Sequence, residues 1–345
     1  MKNNLKNKSL KIFVVLIIAF VGFSFRSYKV EALSLTPVRF ELKGDPGQTI
    51  VDEILLTNET TSTETFYSSF ANFEAQGESG NPAFVDPKEG LGTWMKTQEV
   101  VSLEPGTTKT IPFSIQIPKD AEPGGHFAVI FFGNSPKNDT STVSIGSQAG
   151  ILVLLSVNGD VKQAGGITSF SKKENKFFYN TLPISFEYKF KNDGNDRMKP
   201  EGKLVLRNMI YYPTEKLDGN PIQGNILPNS TRKFEVTWVN NPRAKDYVEP
   251  TNILAKFFDE VVYQWKNFAF GLYGAKLDLS YAGLTFSGGK TLYFFVFPWQ
   301  LLIVIIIVLF IILFGGGKAL KKYNRYIIEK ARAGNATPSM PSNNG

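Results

Sequence analysis

The sequence contains no cysteine and a single histidine, and these absences exclude several kinds of chemistry. Without cysteine there is no disulfide, no thiolate nucleophile and no Cys-ligated metal. One histidine is too few for a His-based zinc site, and a Ser-His-Asp triad would have to use it. This residue, His126, opens an apolar strand after a Gly-Gly turn, where we expect a structural role. No Gly-rich phosphate-binding loop precedes a helix. We therefore expect no enzyme, no cofactor and no metal.

A calcium-binding loop of EF-hand spacing is also absent. Asp193-Gly194-Asn195-Asp196 clusters the oxygen ligands that calcium prefers, but the closing Glu is missing. Asn, Asp and Gly between two strands favour a turn that needs left-handed backbone. We interpret the segment as a turn, and calcium binding is the alternative.

The middle of the chain lacks the excess of positive charge that the whole sequence has. The formal net charge is +7, but residues 1–32 and residues 318–345 each carry six Lys or Arg and one Glu. The remaining residues, 33–317, hold 26 basic and 29 acidic side chains, a net charge of −3. Electrostatic binding of nucleic acid therefore has no support, and we expect no nucleic-acid partner.

One apolar stretch, from Leu301 to Phe314, has no polar interruption. Pro298 to Gly317 is about 20 residues, which gives a helix of about 30 Å, the thickness of a hydrocarbon core. Pro298 suits the first helical position, and the Trp299 ring suits a membrane interface. The basic residues that follow predict a cytoplasmic C-terminus: Lys318, Lys321, Lys322, Arg325, Lys330 and Arg332.

Residues 1–32 have the layout of a secretory signal peptide. Four lysines precede an apolar stretch from Ile12 to Phe25, and small residues before the Ala32–Leu33 bond predict cleavage there. The alternative is an uncleaved N-terminal anchor. Either way, we expect a single-pass protein of the cell membrane whose large N-terminal part is extracytoplasmic.

The intervening residues read as β-structure, with apolar side chains at every second position and turn signals about every ten residues. We predict a mainly β fold: two tandem Ig-like β-sandwich domains, residues 33–160 and 161–290, plus one C-terminal transmembrane α-helix. The transmembrane segment is assigned to residues 291–317 and a basic cytoplasmic tail to 318–345. A weak internal echo, Leu103–Lys109 and Leu227–Lys233, supports two related domains.

Two segments interrupt the β pattern. Glu74–Gly92 is rich in Gly, Pro, Glu and Asn, so we predict a surface loop and regard it as the first candidate for a contact surface. Residues 251–266 predict an amphipathic helix whose apolar residues share one face. This helix either caps the second sandwich or rests its aromatic face on a membrane surface or a partner.

Several short motifs give the chain a resemblance to a known family. In the first domain they are Leu35-Thr36-Pro37, Pro46-Gly47-Gln48-Thr49, Trp94, Val101–Gly106 and Pro123–Phe127; in the second they are Phe190–Asn195, Lys199–Gly202, Ile226-Leu227-Pro228, Arg232-Lys233-Phe234, Phe270–Tyr273 and Phe297-Pro298-Trp299. With the signal peptide, the single span and the basic tail, the chain resembles bacterial surface proteins of the WxL-interacting group. The resemblance implies a peptidoglycan-binding-type Ig-like domain, a second β-sandwich and no catalytic residue. The Glu74–Gly92 segment and the helix at 251–266 depart from that pattern.

Three functions follow as hypotheses. The first is a non-catalytic, membrane-anchored surface protein whose Ig-like domains bind cell-wall polymer or other surface proteins. The second is a chaperone or assembly factor for surface fibres that acts by strand donation, for which Thr110–Ile117 is the edge strand to inspect. The third is an enzyme that acts on the wall, since paired carboxylates leave no recognisable motif.

Overall fold

The structure is a computed structural model that describes residues 33–135, 148–209 and 213–334. Strands make up 49% of the chain and helices 17%, with several sheets and one C-terminal apolar helix. This confirms the predicted fold class of β-sandwich domains with one helix at the C-terminal end. The predicted signal peptide and Ala32 lie outside the described residues, and Leu33 begins the first strand.

The chain divides into two compact units. Among the described residues, the first unit holds 33–74 and 84–160, and the second holds 161–334 together with Ala75–Ala83. Each unit contains one hydrophobic core that lies between two sheets.

The first unit is built from ten strands and one short helix. They are β1 Leu33–Thr36, β2 Arg39–Gly44, β3 Thr49–Asn58, β4 Glu64–Gln76, β5 Asn81–Val85, α1 Leu91–Trp94, β6 Met95–Thr97, β7 Val100–Leu103, β8 Thr108–Gln116, β9 Gly124–Gly133 and β10 Gln148–Val157. The parts of β4 and β5 within Ala75–Ala83 are grouped with the second unit. One sheet has the strand order β1-β3-β8-β6. The other has the order β2-β10-β9-β4-β5, and β7 also pairs with β4.

Strand β10 is the central strand that its uniform apolar character predicts. It pairs antiparallel with β9 on one side and parallel with β2 on the other, and its residues Val153–Val157 are all buried. The pattern of apolar residues predicts that Val38, with Phe40, and Val51, with Ile54, face the core, but both valines are exposed. Val38 is exposed because it lies where the chain crosses from the sheet of β1 to the sheet of β2, and Val51 is exposed because the inward side of β3 carries Ile54 and Leu56.

The second unit has nine strands and a long helix before the C-terminal helix. They are β11 Gly165–Lys172, β12 Phe178–Tyr179, β13 Ile184–Asn192, β14 Glu201–Asn208, β15 Pro213–Asp218, β16 Ser230–Trp238, α2 Ile253–Lys266, β17 Gly271–Tyr281, β18 Leu284–Ser287 and β19 Leu292–Val296. One sheet has the order β11-β13-β16. The other has the order β12-β19-β17-β14-β15, and β18 also pairs with β17.

The last strand corrects the predicted transmembrane segment. Residues 292–296, which the apolar composition assigned to the membrane, form β19 and pair with both β17 and β12. Phe294 and Val296 are fully buried in the core of the second unit. The aromatic run therefore belongs to a sheet that is covered on one face, and periodicity alone does not separate such a strand from the start of a membrane helix.

The C-terminal helix α3 spans Trp299–Gly334. Pro298 is not its first residue but precedes it, and the Pro298 carbonyl accepts a hydrogen bond from the Leu302 amide at 3.0 Å. The sequence predicted that the helix ends at Gly317, but it continues through Gly315–Gly317. None of these glycines adopts the positive φ of a C-terminal glycine cap. The first part of the predicted basic tail continues α3 as far as Gly334.

The segment Glu74–Gly92 is not a loop. It contains the end of β4, the strand β5 and the start of α1, and its stretch Ala75–Ala83 belongs to the second unit. Gly77, Gly80, Pro87 and Gly90 lie between these short elements, whereas Pro82 lies in β5 and Gly92 in α1. The remainder, Phe84–Gly92, stays with the first unit and lies against the sheet of β4 and β9.

Candidate binding surface of the first unit

Strand β9 is apolar on both faces. Ala128, Ile130 and Phe132 point into the core of the first unit, and the alternating residues Phe127 and Phe131 point away from it. The neighbouring strand β4 continues this outward face, because Ser69 and Ala71 pair with Phe131 and Val129. An outward sheet face with this much apolar area is unusual for a half-solvated antiparallel sheet.

Four phenylalanines form one cluster on this outward face. The Phe73 ring lies 5.8 Å from that of Phe127 and 6.4 Å from that of Phe84, and Phe84 lies 5.1 Å from Phe131 in an edge-to-face arrangement. Phe73 is buried, whereas 47% of Phe84 is exposed. The cluster therefore presents a solvent-accessible aromatic surface that is held on a buried base.

A depression lies on each side of this cluster. The first has a volume of about 310 Å³ and is lined by aromatic, hydroxyl and amide side chains, among them Tyr67, Ser69, Phe131 and Gln148. The second has a volume of about 330 Å³ and is more charged, with Glu74, Asp86, Lys88, Glu89 and His126 in its lining. Val85 and Asp86 line both depressions. We call the two depressions and the four phenylalanines the aromatic groove.

The chain after β5 is fixed against the sheet by Asn72. Its Nδ2 donates to the Glu89 carbonyl at 2.6 Å, and its Oδ1 accepts from the Gly92 amide at 2.8 Å. Gly90 caps the start of α1 with φ of 78°, a backbone conformation that favours glycine. These contacts set the position of Phe84–Leu91, so the wall of the aromatic groove is built into the fold.

His126 stabilises this wall of the aromatic groove through packing contacts. Its Nε2 lies 2.9 Å from the Glu122 carbonyl oxygen, and its ring lies 4.6 Å from that of Trp94 at the end of α1. Both contacts are those of a residue that orders a turn and a helix end. They supply no acid partner of the kind that a triad requires.

The Asp193–Asp196 segment is a bend between β13 and β14, and none of its residues has the positive φ that the predicted turn needs. The Asn195 side-chain oxygen accepts from the Lys162 amide at 2.7 Å, and Asp193 forms an ion pair with Lys191 at 2.6 Å. Asp196 Oδ1 accepts from the Arg197 amide at 2.7 Å. Within the described ranges, no group of three or more His, Asp and Glu residues has the arrangement of a metal site.

The strand proposed for strand donation is covered. Strand β8 pairs with β3 along its length, and β6 covers its other side from Phe113 to Ile115. On the uncovered part, Pro112 has no N–H, and its carbonyl accepts from the Thr97 hydroxyl at 2.9 Å. Proline at an edge is a common device against strand addition. Thr110–Ile117 therefore lacks the free hydrophobic edge that the hypothesis needs.

The predicted membrane-anchor residues lie at the start and middle of α3. Trp299 is its first residue, and Gly317, Lys321 and Lys322 follow within the same continuous helix. Trp299–Lys330 is the one helix in the described part of the chain that is long and apolar enough to cross a membrane. Orientation across a membrane, and the signal cleavage between Ala32 and Leu33, stay predictions.

The sequence did not identify Phe84, Phe127 and Phe131 as surface residues. The signal was present in His126–Phe132, where apolar residues occupy successive positions and not alternate ones. Such a strand needs cover on both faces, and the sheet order then shows which residues lack it.

No protein-family model and no curated protein matches the chain. Among solved structures, the class 5 fimbriae chaperone CfaA is 13% identical over 77% of this chain and 100% of its own, with a TM-score of 0.35. The E. coli chaperone DraB is 12% identical over 74% of this chain and 98% of its own, with a TM-score of 0.29. A PapD-like domain of human CEP192 is 11% identical over 36% of this chain, with a TM-score of 0.26. At these values the likenesses bear on no residue and on no activity of the chain.

Proposed function

We propose that the chain is a non-catalytic surface protein, anchored in the cell membrane by α3, whose first unit binds a polymer of the cell wall. The observation that carries the proposal is the aromatic groove on the outward face of β4 and β9. The resemblance of its short motifs to the WxL-interacting group points to the same class of ligand.

The exposed apolar surface of α3 supports the anchor. Each residue of Ile306–Phe314 is between 48% and 71% exposed. Only 6% of the most apolar 18-residue stretch of the helix is buried. Leaving nine such side chains in water costs on the order of 10 kcal/mol, at about 1.5–3 kcal/mol for each fully exposed one. A core helix of a soluble protein would be mostly buried, so a lipid environment is the better explanation.

The chemistry of the aromatic groove suits a glycan or its peptide. Aromatic rings such as Phe84 offer flat apolar faces, and hydroxyl, amide and carboxylate groups lie within the same depressions. Ligand sites commonly combine a largely apolar lining with a few polar groups that fix orientation. The acidic side chains Glu74, Asp86 and Glu89 favour a neutral or cationic ligand over an anionic one.

Sedimentation of the full chain in detergent with purified peptidoglycan tests the proposal. We expect the wild type to co-sediment at physiological salt, and Phe84→Ser to weaken binding about tenfold, since it removes an apolar contact of about 1.5 kcal/mol. Val51→Ser is the control, because Val51 is also an apolar, exposed residue and lies on the other sheet of the same unit. A wild type that stays in solution, or equal losses in both variants, would contradict the proposal.

A second candidate is an assembly factor that pairs a strand of a client surface protein with one of its own. The observation that favours it is β5, the terminal strand of its sheet, whose last residues Phe84 and Val85 expose 47% and 43% of their surface. Crosslinking in cells would then capture a surface protein. Added client would also protect the β5 amides that follow Pro82 from hydrogen exchange, which a wall polymer held by side chains would not do.

A further inference from the structure

Helix α2 has three distinct sides, and two of them are occupied. It is fixed at both ends: the Asn252 side chain accepts from the amides of Leu254 and Ala255 at 2.8 and 3.3 Å, and the buried Asn267 side chain accepts from the Asn241 amide at 2.8 Å. The helix is therefore a rigid element of the second unit, and the orientation of its faces is set.

The polar side of α2 is neutralised by Arg243. Its guanidinium contacts Asp259 at 2.6 Å and Glu260 at 2.9 Å, and it stacks on Tyr263 at 4.1 Å. Lys256, on the same side, pairs with Glu249 at 2.6 Å. Asp259 and Glu260 are thus paired with a cation and turned away from the apolar side.

The second side of α2 packs against the start of α3. Phe257 lies 6.2 Å from the Trp299 ring, and Val261 is buried. Gln264, fully buried, accepts from the Leu301 amide at 3.0 Å and donates to the Gln300 side chain. None of these α2 residues belongs to the core of the second sandwich, so this side of α2 is occupied by α3.

The third side of α2 is an uncovered apolar stripe. Its members recur at helical spacing and are exposed by 52% to 69%: Leu254, Phe258, Val262 and Trp265. Because their spacing is i, i+4, i+8 and i+11, they form one continuous row that lies opposite Lys256. Nothing in the described part of the second unit covers this row.

A second exposed aromatic group lies beside the same helix start. Phe270 is within 6.2 Å of both Phe295 and Phe297, and Phe178 lies 5.9 Å from Phe295. Phe178, Phe270 and Phe297 are 67%, 48% and 45% exposed. This aromatic group therefore contacts Phe297, two residues before α3, and α2 itself contacts Trp299 and Leu301 through its second side.

From this continuity we infer that α2 and the Phe178–Phe270–Phe297 group rest in the interfacial layer of the bilayer that α3 crosses. The inference rests on the membrane anchoring proposed above and specifies how the second unit is held at the surface. Trp299 must lie near the level of the lipid headgroups if α3 spans the core. The Phe257–Trp299 and Gln264–Leu301 contacts keep α2 within one helical turn of that level.

The occupant of this surface is lipid and not a protein partner, because the two groups flank α3 where the bilayer begins. An amphipathic helix with an aromatic stripe and a solvated polar side is the typical interfacial form. The stripe itself carries no charge, so its insertion depends on apolar contact. We expect it to be the same in phosphatidylcholine vesicles with and without phosphatidylglycerol.

The absence of cysteine allows a direct depth measurement on the full chain in vesicles. Phe258→Cys and Val262→Cys place a fluorescent label on the stripe, Lys256→Cys places it on the opposite side of α2, and Ile306→Cys places it in the span. We expect lipid-attached quenchers near the headgroups to quench labels at 258 and 262 several-fold more than at 256. A quencher deep in the acyl chains should quench the label at 306.

The possible results distinguish the interfacial placement of α2 from the membrane anchoring by α3. Quenching at 306 with equal, weak quenching at 258, 262 and 256 would overturn the interfacial placement and leave the anchor intact. No quenching at 306 would overturn the anchor and the inference together. Quenching of the stripe only when phosphatidylglycerol is present would also overturn the inference. The inference would also be overturned if the labelled Phe258→Cys variant is not quenched and the unlabelled variant forms a disulfide between two copies of the chain.

Discussion

At the scale of single residues, Asn58 shows how a buried polar side chain fixes a loop of the first unit. It is fully buried at the end of β3, and its Nδ2 donates to the carbonyls of Leu103 and Ser62 at 3.0 and 2.9 Å. Its Oδ1 accepts from both the amide and the hydroxyl of Thr60. All of its hydrogen-bonding capacity is used, as burial requires.

Asn192 repeats this arrangement in the second unit. It is also fully buried at the end of its strand, donates to the Ile226 and Asp196 carbonyls at 2.9 and 2.7 Å, and accepts from the Gly194 amide. In the first unit β3 ends in Asn58 and pairs with β8, the strand that follows Leu103. In the second unit β13 ends in Asn192 and pairs with β16, the strand that follows Ile226. The repeated sequence around Leu103 and Leu227 thus corresponds to a repeated structural device.

Replacing either asparagine should destabilise only its own unit. Asn58→Ala leaves the Leu103 carbonyl and Thr60 amide without partners, and we expect a loss of about 2–3 kcal/mol. Hydrogen exchange of the full chain in detergent would show amides of the first unit exchanging roughly 30- to 150-fold faster, with those of the second unit unchanged. Asn192→Ala is the reciprocal control and should give the opposite pattern. Equal acceleration in both units would contradict the assignment.

At the scale of elements, strands that bury one face are visible in the sequence, whereas β5 is not. β3, β8, β13 and β16 bury one face, so apolar residues alternate along them and reveal the strand. Strand β5 lies in a Gly- and Pro-rich stretch and forms because β4 offers it a partner. Strand formation there depends on pairing more than on intrinsic preference, which a single sequence does not reveal.

The aromatic groove could not be predicted from the sequence for a related reason. Phe73, Phe84, Phe127 and Phe131 come from three strands, and only the order β9-β4-β5 brings them together. Helix α2 was predictable as an element from its period, but not which side it buries. Gln264 is fully buried although it is polar, because the first turn of α3 supplies its hydrogen-bond partners.

The attachment of α2 should weaken in acid. Hydrogen bonds from Tyr247 and then Arg243 lower the pKa of Asp259 below its ordinary value of 3.8. Its stabilising contribution is therefore complete above that value and is lost as pH falls through the lower pKa of the folded state. Since the pair is partly exposed, we expect less than about 1 kcal/mol, or a fall in Tm of at most about 3 °C for Asp259→Asn at neutral pH.

Thermal unfolding of the full chain in detergent at neutral and strongly acidic pH would measure this effect. The difference between wild type and Asp259→Asn should shrink in acid, where the wild-type carboxylate is also protonated. Asp246→Asn makes the same change of charge on the neighbouring loop, away from the Arg243 contacts, and serves as the control. If both variants lower Tm equally, general charge and not this pair determines the stability of the attachment.

At the scale of the whole molecule, the charges are divided by position along the chain. The basic excess lies in residues 1–32 and 318–345, and the part between them has a net charge of −3. If α3 spans a membrane, Lys321, Lys322 and Arg325 follow its apolar stretch directly, and basic residues are retained on the cytoplasmic side. The two units would then lie outside, where the aromatic groove can meet wall polymer.

This orientation can be tested in cells that express the full chain, because the native sequence gives no background thiol labelling. We expect a membrane-impermeant maleimide to label Val51→Cys, an exposed site on β3, in intact cells. Tyr326→Cys, an exposed site near the C-terminal end of α3, should react only after lysis. Exchanging Lys321 and Lys322 for Glu should reduce the fraction in this orientation, since the retained positive charge determines it. Labelling of Tyr326→Cys in intact cells would place the tail outside and would remove the basis for an external aromatic groove.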